Sequence, residues 1–173
     1  LPMVFSMVLQ ALYNVVDTIF VINMGETGIK ANLALTYVFP VQIFMIAVGV
    51  GTGIGINALL SRSLGEKDQR KIGLTLGNGI FIGIILYIIF LLFGLFASKW
   101  FMSIQTNDEE IIKMGSEYLT IVTTLSFEAI GFNVFERFLQ ATGKTLHSTI
   151  SQIIGALVNI ILDYVFIYPL NMG

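Results

Sequence analysis

Two stretches of this chain carry no charged side chain: 31 residues between Lys30 and Arg62, and 27 between Lys71 and Lys99. A helix needs about 20 residues to cross the hydrocarbon of a bilayer, so either stretch can span one. No water reaches the backbone there, and every N–H and C=O must be satisfied internally, which admits only helices and closed barrels. Barrel strands run to about ten residues, far shorter than these stretches. Charged residues make up 12% of the 173, against roughly a quarter in a typical soluble domain, so a soluble core of this size would lack its charged shell. The fold class that follows is an all-α membrane protein, a bundle of about five transmembrane helices. Its spans are expected at about 2–23, 33–60, 73–98, 115–138 and 148–170.

The chain opens on Leu1 with an apolar segment already under way, as expected of a piece of a longer chain. That segment does not read as a signal peptide: it lacks a basic leader and carries Gln10, Asn14 and Asp17 in its interior. Without cysteine, neither a disulfide nor a thiolate metal site can form. Short connections are expected near 25–30, 62–71, 98–113 and 141–147. The second holds Arg62, Lys67, Arg70 and Lys71, and the region of the fourth adds Arg137 and Lys144. The first has Lys30 alone, while the third sets Lys99 and Lys113 against Asp108, Glu109 and Glu110. Basic loops stay in the cytoplasm, so loops 62–71 and 141–147 are expected there. The first and fifth spans then run from inside to outside, with Gly173 outside.

An ionisable side chain within a span costs a few kcal/mol to insert and usually faces a bundle interior, where it finds partners. Three qualify here: Asp17, Glu128 and Asp163. At 1.5 Å per residue, Asp17 and Asp163 each lie about 10 Å below the outer surface, on helices that run the same way. The two carboxylates can therefore share one layer. Gln10, Asn14 and Asp17 fall at i, i+4 and i+7 on one helical face. Gln152, Asn159 and Asp163 make the matching stripe on the fifth span, with the small Ala156 between them. Taken singly, Gln10, Asn14 and Gln152 read equally well as hydrogen-bonding glue between helices. Glue does not need two acids, so Asp17 with Asp163 points to a hydrated cavity or to a proton or cation site. Glu128, near the middle of the fourth span, is either a third titrating group or a neutral, hydrogen-bonded acid.

The glycine run at 49–55 (GVGTGIG) lies inside an apolar span, lacks the G-x-G-x-x-G spacing and is not followed by Lys-Ser or Lys-Thr. Close helix packing through small residues is its expected role, not phosphate binding. Pro40 is expected to kink the second span. His147 has no second ligand nearby and reads as interfacial. No Ser/His/Asp or Cys/His grouping indicates catalysis, no cofactor or resident metal is called for, and nothing is basic enough for nucleic acid.

Several segments carry a family resemblance. Residues 2–25 (PMVFSMVLQALYNVVDTIFVINMG) resemble the first helix of the multidrug and toxic compound extrusion family. GTGIGINALLSRSLGEKD at 51–68, ERFLQATGKT at 136–145 and NIILD at 159–163 are similar to segments of that family in the same order and spacing. The resemblance implies two six-helix lobes related by a pseudo-two-fold, of which this chain would supply helices 1 to 5 of the N-terminal lobe, its partner C-terminal lobe lying outside. It implies antiport across the plasma (inner) membrane, with a proton or sodium gradient driving export of bulky cationic, often aromatic, compounds. It also implies that Asp17, Asn159 and Asp163 couple to the ion, and that Pro2 stands where the first helix bends. Gln10, Asn14, Glu128 and Gln152 remain as cavity or auxiliary candidates, and Glu128 matches no family motif.

Two rivals stand beside this reading. A lipid-linked oligosaccharide flippase shares the broader superfamily fold, but its cavity would need several basic residues for pyrophosphate, and no Lys or Arg lies mid-span. A non-transporting membrane subunit or channel module is compatible with five helices alone.

Overall fold

The computed structural model describes Val8, Leu12, Val15 and residues 26–167, the side chains at 26–28, 163, 166 and 167 excepted. Five helices follow one another: α1 (Glu26–Gly65), α2 (Gln69–Gln105), α3 (Glu109–Thr124), α4 (Ser126–Ala141) and α5 (Thr145–Ile167). No strand occurs among the described residues. The helices α1, α2 and α5 are long and apolar enough to cross a membrane, and α3 with α4 makes a further span if the bent pair counts as one. The chain is thus an α-helical, multi-pass membrane protein. The expected span at 2–23 lies outside the described residues.

The connections are tighter than the charges imply. Between Glu26 and Ile167 only 66–68, 106–108, Leu125 and 142–144 leave the helices, because Lys, Arg and Glu are good helix formers and do not end one by being charged. The first expected connection is already helical from Glu26, with no breaker between Gly28 and Pro40. At 40 residues α1 is about 60 Å long, twice the hydrocarbon thickness, and it runs as one helix through Pro40. Two aspartates stop the chain from drifting on: Asp68 caps α2 and Asp108 caps α3, each accepting from two backbone N–H groups of the first turn.

The fourth expected span, 115–138, is not one helix. It breaks at Leu125, and its halves α3 and α4 are bent by 40°. Neither Gly nor Pro stands at the break. Instead Thr120 Oγ1 donates to the Ser116 carbonyl at 2.8 Å, and Thr123 Oγ1 to the Leu119 carbonyl at 2.7 Å. Hydroxyls that bond back four residues compete with the helix ladder and bend it.

The chain divides into two compact units, Ala34–Gly143 and the flanking segments Leu1–Leu33 with Lys144–Gly173. Within the first, Ala34 and Val38 of α1 pack on Met102 of α2 and on Ile111 and Leu119 of α3. A second cluster joins Met45, Phe90 and Ile130. Small residues set the spacing: Gly79, Gly83, Gly94 and Ser98 are buried along one stripe of α2. A Cβ on Gly94 would overlap the hydroxyl of Thr123, and one on Gly83 would touch Val134 and Ile130. Lipid is as apolar as leucine, so close van der Waals packing holds these helices together. Polar bonds fix the register: Gln42 Nε2 donates to Tyr118 Oη at 3.0 Å and Gln105 Nε2 to the Tyr37 carbonyl at 3.1 Å.

Candidate ion-coupling site

Along α5, Gln152, Ala156 and Asn159 are half-buried, while Ile154, Leu157, Val158 and Ile161 are exposed. Ile153 and Ile160 are half-buried as well, so the polar stripe shares the covered side of the helix with two isoleucines. The Oδ1 atom of Asn159 is buried and has no hydrogen-bond partner among the described residues. Leaving a buried acceptor unpaired costs about 1–3 kcal/mol, and a bound ion or water is one way to offset that cost. One turn further on, the backbone of Asp163 continues the same helix. The side chain of Asp163, and Pro2, Gln10, Asn14 and Asp17, lie outside the described residues, and so does the expected meeting of Asp17 with Asp163. Asn159 presents a buried amide oxygen, a neutral ligand type that hard cations accept.

Glu128 sits in the first turn of α4, just past the break at Leu125. Its side chain is exposed. Among the described residues it has no hydrogen-bond or ion-pair partner. A cavity of about 160 Å³ opens beside it between α2 and α4, lined by Ile80, Ile84, Tyr87, Phe127 and Phe135 among others. Tyr87 and Phe127 meet edge to face at 6.0 Å. With no charged group in its wall, this cavity offers nothing to an ion.

The end of α4 holds an arrangement the sequence reading passed over. Glu136 is only 8% exposed, and its Oε1 accepts from Gln140 Nε2 at 2.7 Å. Gln140 Oε1 in turn accepts from Arg137 at 2.6 Å. Gln140 therefore bridges acid and base, while the Arg137 Nε is buried with no hydrogen-bond partner among the described residues. Two glycines make room for this chain of contacts. A Cβ on Gly53 would come within 2.8 Å of Arg137 Cγ, and one on Gly49 within 3.8 Å of Asn133 Nδ2. Half of the glycine run thus does what was expected of it, while Gly51 and Gly55 face open space. The signal was present as two matched spacings of four, 49 and 53 on one helix and 133 and 137 on the other.

At the α1–α2 hairpin, Glu66 bridges Lys71 at 2.7 Å and Arg62 at 2.9 Å. The hydrogen bond from Lys71 and then that from Arg62 hold the Glu66 carboxyl below its ordinary range, and the bond to Glu66 raises Lys71. His147 is exposed in the first turn of α5.

The family model described as MatE matches residues 2–165. The chain belongs to the MatE family. The multidrug export protein MepA of Staphylococcus saprophyticus is 27% identical over 99% of this chain, and the match covers 38% of that protein. A solved structure titled as the outward-facing conformation of a multidrug resistance MATE family transporter of the MOP superfamily superposes with a TM-score of 0.91. It is 26% identical and is matched over 99% of this chain and 38% of its own. The structure titled as the inward-facing conformation of such a transporter gives a TM-score of 0.84 at 25% identity, over 95% of this chain and 37% of its own. The chain thus spans about 38% of the length of the relatives it matches.

The MatE resemblance of the sequence now has places in the fold. GTGIGINALLSRSLGEKD forms the second half of α1 and its turn into α2. ERFLQATGKT forms the Glu136–Gln140–Arg137 network and the connection to α5, where Gly143 takes a φ of 78°. NIILD carries the unpaired Asn159.

Proposed function

We propose that this chain builds the first five spans of the N-terminal lobe of a cation-coupled multidrug exporter. A proton or sodium gradient across the plasma membrane drives the export of cationic, often aromatic, compounds by antiport. Asp17, Asn159 and Asp163 hold the coupling ion, the two acids by charge and Asn159 by its amide oxygen. The observation that carries this reading is the buried, unpaired Oδ1 of Asn159, one turn before Asp163 on a spanning helix. It is supported by the printed role of the relatives, multidrug export, and by solved transporters of the family in outward- and inward-facing forms. Two such forms are what alternating access needs, and the ion drives the cycle only by binding one of them better.

The flippase reading finds little support among the described residues. Arg137 reaches Gly53, about 18 Å along α1 from Gly65, but it is linked through Gln140 to the carboxylate of Glu136. One such neutralised guanidinium is not a pyrophosphate cradle. The test is transport by the full-length protein in sealed vesicles under an imposed proton gradient or an imposed sodium gradient. Export of a lipophilic cation under one of the two is expected, and export that ignores both contradicts the proposal.

A further inference from the structure

The tip of the α1–α2 hairpin carries four basic residues and two acidic ones, Arg62, Lys67, Arg70 and Lys71 against Glu66 and Asp68. Both acids are taken. Glu66 binds Arg62 and Lys71, and Asp68 caps α2 through the N–H groups of Arg70 and Lys71 while Lys71 Nζ stands 3.6 Å from its other oxygen. The side chains of Lys67 and Arg70 are exposed and have no partner among the described residues. Lys67 also holds a φ of 55°, the left-handed region that a residue with a Cβ avoids. Glycine would sit there without strain, so the turn keeps a cation at a position where the backbone disfavours one.

Depth says what these cations meet. From Lys71 to Lys99 α2 rises about 42 Å, close to the 40–45 Å of a bilayer with its headgroups. Trp100, 63% exposed at the far end, stands where aromatic residues gather at an interface. Lys67 and Arg70 then lie level with the headgroups at the opposite face. We propose that Lys67 and Arg70 dock the phosphates of anionic phospholipids and so tether the α1–α2 hairpin to the bilayer surface. Arg70 presents a planar fork that grips two phosphate oxygens at once, and Lys67 a point charge.

The test is native mass spectrometry of the full-length protein taken from bilayers of phosphatidylcholine mixed with phosphatidylglycerol. The unmutated protein should retain phosphatidylglycerol in preference to phosphatidylcholine. Each cation at the surface is worth a factor of about five, so K67Q with R70Q should bind it about twentyfold more weakly. The exchange K67R with R70K keeps both charges and should retain the lipid. Added inorganic phosphate should not displace it, because one soluble anion lacks the surface potential of a charged leaflet. Equal retention by the neutral double variant, or displacement by inorganic phosphate, would overturn the proposal. Should that variant fold poorly, a salt series on the unmutated protein decides. A preference for phosphatidylglycerol that fades with ionic strength supports docking, and one indifferent to salt rejects it.

Discussion

At the scale of single residues, the buried amide oxygen of Asn159 is where the proposed ion coupling can be probed. Replacing Asn159 by Leu keeps the approximate volume and removes an acceptor that has no partner among the described residues. Stability measured by thermal unfolding should hold or rise by up to about 2 kcal/mol, while gradient-driven export is lost. A clear loss of stability in Asn159→Leu would instead mean that the amide is bonded within the fold. Gly94 gives the opposite case. Its Cβ would collide with Thr123, which is fully buried and bonded to the Leu119 carbonyl, so Gly94→Ala should cost about 1–3 kcal/mol. Gly51→Ala, with nothing near it, should cost nothing in the same unfolding assay. Equal effects at the two positions would reject the close-packing account of α2 and α3.

At the scale of elements, the hairpin between α1 and α2 has a defined response to pH. The carboxyl of Glu66 is held low by its bonds from Lys71 and Arg62, so its contribution is complete above the ordinary value of 4.5 and is lost as pH falls through the lowered one. Lys71 is raised, so its share is complete below its ordinary 10.5 and is lost only as pH rises through a still higher value. Between these limits the cluster is indifferent to pH. Carbon-detected NMR of Glu66 should give a midpoint below 4.5, and a midpoint at or above it would show that the bridge does not persist. The existence of such elements was legible because uncharged runs and glycine spacing follow directly from the bilayer and from close packing. The break at Leu125 was not, since hydropathy runs evenly across it. Hydroxyls at 120 and 123 bond back to the ladder just before it, which no periodicity reports, though the same bonds at Thr149 and Ser151 leave α5 unbroken. The Glu136–Gln140–Arg137 network escaped for a related reason. Charges near a helix end read as loop markers, and only the position of Gly53 shows that the arginine turns inward.

At the scale of the whole molecule, orientation and coupling are the two claims that matter. If loop 62–71 is cytoplasmic, a cysteine at Lys67 should resist a membrane-impermeant reagent in intact cells and react in inverted vesicles. Position 67 suits this better than 68, where Asp68 caps α2 and its loss would cost about 1 kcal/mol. Strong labelling of intact cells would reverse the topology. The coupling claim rests on Asp17 with Asp163 and Asn159, and it is tested most directly by Asp17→Asn in the full-length transporter. Asparagine keeps the size and much of the hydrogen bonding of aspartate but can neither titrate nor carry a full charge. If Asp17 lies within the span as proposed, removing its charge also removes a desolvation cost, so expression and stability should be retained. Under the proposed coupling, in which the two acids share one role, Asp163→Asn should weaken export too. The decisive measurement is drug export by Asp17→Asn in vesicles under the gradient that drives the unmutated protein. A well-folded variant that no longer exports is the predicted result, and a well-folded variant that exports normally contradicts the account.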